Sequence, residues 1–134
     1  MMAKHDQMPP SLVLVRNEGD AKRAKGVVKD RSIVVVMRLL FDDIDGKKTV
    51  FSTNTRRLEE AIRSELRDAK YRFHVVDCGL AETPAETLAS FAKSESCREI
   101  IVFEEAFNRD LPYANNFAAT LAVVSDVPVR VIRA

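Results

Sequence analysis

The chain is short of several things that usually announce a function. Among its 134 residues there are two cysteines, two histidines and four glycines. No apolar run reaches the roughly 18 residues of a membrane-spanning helix. The opening stretch, Met1 to Pro10, is mostly polar. It lacks the apolar segment of a secretory signal and reads as a disordered tail ahead of a single domain over 11–134. Cys78 and Cys97 belong to no C-x-x-C pair, and two thiols are no disulfide framework, so a reduced, cytoplasmic setting is expected. His5 lies in the tail, which leaves His74 as the one usable imidazole. It precedes Cys78 by four residues along a strand, roughly 13 Å at strand rise, so a Cys–His dyad is not expected. A Ser-His-Asp triad would need the same histidine. The net charge is only +1, which argues against a general polyanion binder. Nucleic acid is not expected as a partner, although a local basic patch is not excluded.

What is present is a globular pattern, with 46% hydrophobic and 31% charged residues. Ser11 to Val15 is a short strand. Arg16 to Arg31 is polar and reads as a loop with a weak helix over Asp20 to Lys25. Ile33 to Phe41 is almost wholly apolar and β-branched, the mark of a strand covered on both faces. Asp45-Gly46 is a strong two-residue hairpin signal. Centred there, it pairs Phe41 with Val50 and Asp43 with Lys48, and carries the chain back antiparallel into a strand over Thr49 to Ser52. Leu58, Ala61, Ile62, Leu66 and Ala69 then recur at helical spacing. Tyr71 to Asp77 is a strand, and Thr83-Pro84-Ala85-Glu86 is a capping box that starts a helix to about Lys93. Glu99 to Phe103 is a buried strand. A helix capped by Asp110 runs from Leu111 to about Ser125, and Val127 to Ile132 closes the chain, with Pro128 marking an edge position. Strands alternating with helices imply parallel pairing through right-handed crossovers. The expected fold is therefore α/β: a mixed, mainly parallel sheet of about five strands, about three crossover helices and an N-terminal antiparallel β-hairpin.

In such sheets ligands bind outside the carboxyl ends of the strands. Three segments should meet there: Ser52-Thr53-Asn54-Thr55-Arg56-Arg57, Asp77-Cys78-Gly79, and Glu104-Glu105 with Asn108, Arg109 and Asp110. Arg56 and Arg57 oppose the dipole of the helix they begin. Together with hydroxyls and free backbone N–H groups they make an anion site. The plainer alternative is an ordinary helix cap with two solvated arginines. Asp77, Glu104 and Glu105 have the chemistry to hold a divalent ion, but alternation sends Glu104 and Glu105 to opposite faces. Asp43-Ile44-Asp45-Gly46 is no calcium loop, because Phe41 and Ser52 stand at its first and twelfth positions. Gly46-Lys47-Lys48 lacks the upstream glycine of a phosphate loop. Lys22, Arg23, Lys25, Lys29 and Arg31 form a basic patch without interleaved aromatics, read as a solvated loop.

These residues point first to a non-catalytic binding domain for a small anionic ligand such as a nucleotide, or for a protein partner at the strand ends. A second reading is a metal-assisted phosphoesterase or nuclease using Asp77 and Glu104 with Arg56 or Arg109. A third is a self-assembling scaffold. It rests on the absence of charge between Leu111 and Ser125, which leaves Asn116, Ala119, Thr120 and Val123 to face a second copy in a homodimer.

Overall fold

Five short β-branched runs pair side by side, and the order in which they do so fixes the molecule. A computed structural model describes residues 9–29, 31–39, 55–79, 83–104 and 117–133. The strands are β1 (Ser11–Leu14), β2 (Ser32–Leu39), β3 (Tyr71–Cys78), β4 (Glu99–Phe103) and β5 (Val129–Ile132). The helices are α1 (Glu18–Ala24), α2 (Thr55–Glu65), α3 (Pro84–Ser94) and α4 (Phe117–Val124). The sheet order is β3-β2-β1-β4-β5, and every pairing is parallel.

Two sequence expectations change here. The sheet is all parallel among the described residues, and four helices accompany it. β2 is parallel to β1 on one side and to β3 on the other, so it does not enter the sheet as an antiparallel hairpin arm. The physical reason was already in its composition. A strand apolar on both sides needs helices over both faces, and parallel crossovers supply them. The Asp45-Gly46 turn and the strand over Thr49 to Ser52 lie outside the described residues.

Period-two alternation divides the core between the faces. Leu12, Leu14, Ile33, Val35 and Met37 point to one side, where α3 and α4 contribute Ala85, Leu88, Ala92, Phe117 and Leu121. Val13, Val15, Val34 and Val36 point to the other, where α1 and α2 contribute Ala21, Ala24, Leu58 and Ile62, with Leu66 just beyond α2. Each Val, Leu, Ile, Met or Phe among them contributes roughly 1.5–3 kcal/mol when fully buried. β1 is only four residues long yet central, and for that reason its Leu12, Val13 and Leu14 are wholly buried.

Local signals place the helices. Thr83 caps α3, its hydroxyl accepting from the Glu86 N–H at 3.2 Å, with Pro84 at the first helical position. Such a cap stabilises by about 1 kcal/mol. Asn17 caps α1 in the same way, accepting from Asp20 N–H at 2.9 Å. The weak helix expected at Asp20 to Lys25 thus begins two residues earlier. β5 is an edge strand, as Pro128 implied. Cys78 and Cys97 are both buried, and neither forms a disulfide.

Candidate functional site

The connections make the site. β1-α1-β2 and β2-α2-β3 build outward in one direction from β1, with α1 and α2 on one face of the sheet. The chain then returns through α3 to place β4 on the other side of β1. The strand order therefore reverses between β1 and β4. In open parallel sheets the crevice at such a reversal, beyond the carboxyl ends of the strands, is where ligands sit.

The described wall of that crevice is the turn from β1 into α1. Arg16 stands two residues beyond the end of β1 and is only 2% exposed. Its Nε donates to Asp20 Oδ2 at 3.2 Å, and the same oxygen accepts from the Arg16 backbone N–H at 3.0 Å. Its Nη2 donates to the carbonyl of Phe103, the last residue of β4. The guanidinium also lies 5.8 Å from the centre of the Phe117 ring at the start of α4. One buried cation thus joins β1, α1, β4 and α4 at the reversal point. Asp20, itself 2% exposed, supplies the countercharge. Arg23, one turn further along α1, donates to the carbonyls of Glu104 and Ile132 at 2.8 and 3.0 Å and covers the Phe103 ring.

The anticipated site residues fall into three groups. Ser52, Thr53, Asn54, Glu105, Asn108, Arg109 and Asp110 lie outside the described residues. Thr55, Arg56 and Arg57 open α2, whose first turn holds no carboxylate. Arg57 reaches Glu18 at the start of α1, with 3.4 Å between Nε and Oε2, so the N-termini of α1 and α2 stand together at the carboxyl edge. Arg56 is 92% exposed and only 3.9 Å from Glu60. Asp77 and Glu104 form the third group, and the fold keeps them apart. β3 and β4 are three strand spacings from each other, about 14 Å. A single metal ion cannot bridge that span.

Asp77 is moreover committed to Arg38. The two are paired across β2 and β3, and the guanidinium grips the carboxylate with two bonds of 2.7 and 2.9 Å. That contact holds the Asp77 carboxyl below its ordinary range. Glu104 is fixed by its backbone, its N–H donating to Ile132 O at 2.8 Å and its carbonyl receiving Arg23. Among the described residues no three histidine, cysteine or carboxylate side chains come together as metal ligands would.

The remaining polar candidates have structural partners. His74 packs against Phe91, ring centres 5.3 Å apart, and sits 3.3 Å from Arg72, the half-polar face expected for it. Cys78 Sγ lies 3.7 Å from Thr87 Oγ1. Burial pushes the Cys97 thiol up to about 11, so at neutral pH it is protonated. Sequence reading missed Arg16 and Asp20. The available signal was an arginine directly after an apolar strand, with an aspartate four residues on, but the pair sits in a polar stretch that looks like loop.

No protein-family model matches the chain, and no curated protein matches it. Among solved structures, it resembles a universal stress protein from Archaeoglobus fulgidus, at 18% sequence identity and a TM-score of 0.53. The likeness covers 97% of this chain and 99% of that one. What the two share is the fold: five parallel strands with helices on both faces. Among the described residues no helix is long and apolar enough to cross a membrane.

Proposed function

We propose that the chain is a non-catalytic binding domain that takes a small anionic ligand, of nucleotide size, at the carboxyl edge beside the β1/β4 reversal. The observation that carries this reading is the meeting of the α1 and α2 N-termini there, with Arg56 and Arg57 in a first turn free of carboxylates. Two cations in that position oppose the helix dipole, and an anion laid over the turn relieves the repulsion. Thr55, with Ser52, Thr53 and Asn54 just before it, brings hydroxyl and amide donors, and Arg109 supplies a further cation from the segment after β4. The fold shared with the universal stress protein is compatible with a ligand-binding role. The three strand spacings between Asp77 and Glu104, about 14 Å, and the hold of Arg38 on Asp77 speak against the metal-assisted alternative.

The test is thermal unfolding in sulfate or phosphate against chloride at matched ionic strength, together with a panel of nucleotides. A ligand at a hundred times its Kd stabilises by about 2.7 kcal/mol. Sulfate also stabilises proteins generally, so the comparison with Arg56→Ala/Arg57→Ala decides. The double variant should lose the excess stabilisation, and an unchanged excess would end the reading.

A second reading has its own observation. α4 carries no charge in its first or last turn, and Ala119, Thr120 and Val123 face outward, Val123 with 84% of its surface exposed. No described segment of the same chain covers them. A homodimer through this helix, the self-assembly anticipated from the uncharged run over 111–125, would do so.

A further inference from the structure

Three carboxylates of α1 and α2 find their cations close by in sequence. Asp20 takes Arg16 in the interior, Glu59 takes Arg63 one turn along α2, and Glu60 stands 3.9 Å from Arg56. Glu18 differs, because it reaches across to the neighbouring helix. Its Oε2 lies 3.4 Å from Nε of Arg57, in the first turn of α2.

As a fastener this pair has little to do. The Arg57 and Glu18 side chains are 71% and 55% exposed, and an ion pair in that setting contributes little to stability. Beneath it the two helices are already joined through Ala21, Ala24, Leu58 and Ile62. Nor does Glu18 need a cation of its own. It lies in the first turn of α1, where a carboxylate meets the positive end of the helix dipole.

The pair shows instead that an anionic oxygen is accommodated at the start of α2. A carboxylate from the neighbouring helix occupies the place that an anion bound by Arg56 and Arg57 would take. The start of α1 offers no rival seat. Asn17 caps it by accepting from the Asp20 N–H, and the Asp20 carboxylate is turned back onto Arg16.

We infer that Glu18 is an internal competitor for Arg57 that decides which anions the carboxyl-edge site admits, an inference that rests on the anion-binding reading of that site. A ligand entering there exchanges with a carboxylate tethered beside it, present at an effective concentration of roughly millimolar or more. Chloride or a monocarboxylate offers Arg57 no more than Glu18 already does. A phosphate or sulfate group carries more charge on several oxygens, so it can hold Arg56, Arg57 and first-turn N–H groups together. The class admitted is therefore tetrahedral dianions and phosphate esters, and simple carboxylates are turned away. Once displaced, Glu18 stays near the ligand and repels it, which sets the affinity below what the two arginines could give.

Thermal unfolding of the full chain, titrated with phosphate or acetate against chloride at matched ionic strength, tests this. Each variant is referred to its own midpoint in chloride, so a change in basal stability on altering α1 does not enter. Phosphate also stabilises proteins generally, so Arg56→Ala/Arg57→Ala supplies the baseline. Glu18→Gln should tighten phosphate binding about two- to fivefold, the worth of an exposed ion pair. It should also gain a stabilisation by acetate that the wild type lacks. Glu65→Gln changes the net charge equally at the far end of α2, about 15 Å away, and should behave as wild type. Phosphate binding that needs both arginines but is unchanged in Glu18→Gln, with acetate still refused, would overturn the competitor and leave the anion site standing. Phosphate stabilisation that is absent from wild type and Glu18→Gln alike, or that survives the loss of both arginines, would overturn the two together.

Discussion

On one side of the sheet, α1 and α2 meet water with charge and secure it with ion pairs. Arg63 is held by Glu59 at 2.6 Å, Arg57 by Glu18, and beneath them Arg16 and Asp20 are buried together. On the other side α3 still carries Glu86 and Lys93, but α4 has no charge to offer and leaves Val123 and Val124 exposed. Both layers fill the core equally well, since Leu58 and Ile62 on the first are matched by Leu88 and Leu121 on the second. The difference is therefore about surroundings and not about stability of the sheet. The charged layer is finished as a solvent surface with polar fittings at its edges. The outer face of α4 is not finished in that sense.

The contrast can be broken most forcefully at its buried pair. Asp20→Ala leaves the Arg16 guanidinium buried beside the β4 carbonyl without its countercharge, and should cost about 3–5 kcal/mol in urea unfolding. Arg16→Met combined with Asp20→Leu should cost much less, because no lone charge remains inside. A loss in Asp20→Ala no larger than that of the double variant would show that the pair does not organise the β1/β4 junction.

On α4 the expected response is in assembly. Val123→Glu should alter stability by no more than about 0.5 kcal/mol, as befits an exposed position. In light scattering it should convert a dimer to a monomer. A wild-type chain that remains monomeric at high micromolar concentration removes the dimer.

The smallest effect belongs to the Arg38–Asp77 pair, which is exposed and screened by solvent. Its sign is nevertheless fixed. The folded Asp77 carboxyl titrates below its ordinary value of 3.8. Its contribution is therefore present above that value and disappears as pH falls through the folded pKa. Asp77→Asn should be slightly less stable than wild type near neutrality, and the gap should close in acid. A gap independent of pH would assign the loss to packing instead.

Much of the fold was readable from local chemistry. Thr83-Pro84-Ala85-Glu86 placed the start of α3, Pro128 placed β5 at an edge, and the apolar run at Ile33 to Phe41 implied cover on both faces. The direction of β2 was misread because Asp45-Gly46 is a powerful local signal, whereas strand direction depends on partners distant in sequence. The buried Arg16 was illegible for a related reason. A charged residue enters the interior only where other elements converge to satisfy it, and those partners, Asp20, Phe103 and Phe117, span most of the chain. Glu104 and Asp77 read as neighbours because both end strands; only the strand order shows that β1 and β2 stand between them.

The central place of β1 also bears on how the chain is made. β1 is complete once Leu14 leaves the ribosome, but its second neighbour is β4, and Ser11 pairs with Glu99. Until that part of the message has been translated, the first-formed half, β1 through β3, carries an open strand edge along what will become the middle of the sheet. Such an edge is a template for pairing with another nascent chain. The interval between the synthesis of β1 and that of β4 is thus the period in which this protein is most exposed to aggregation.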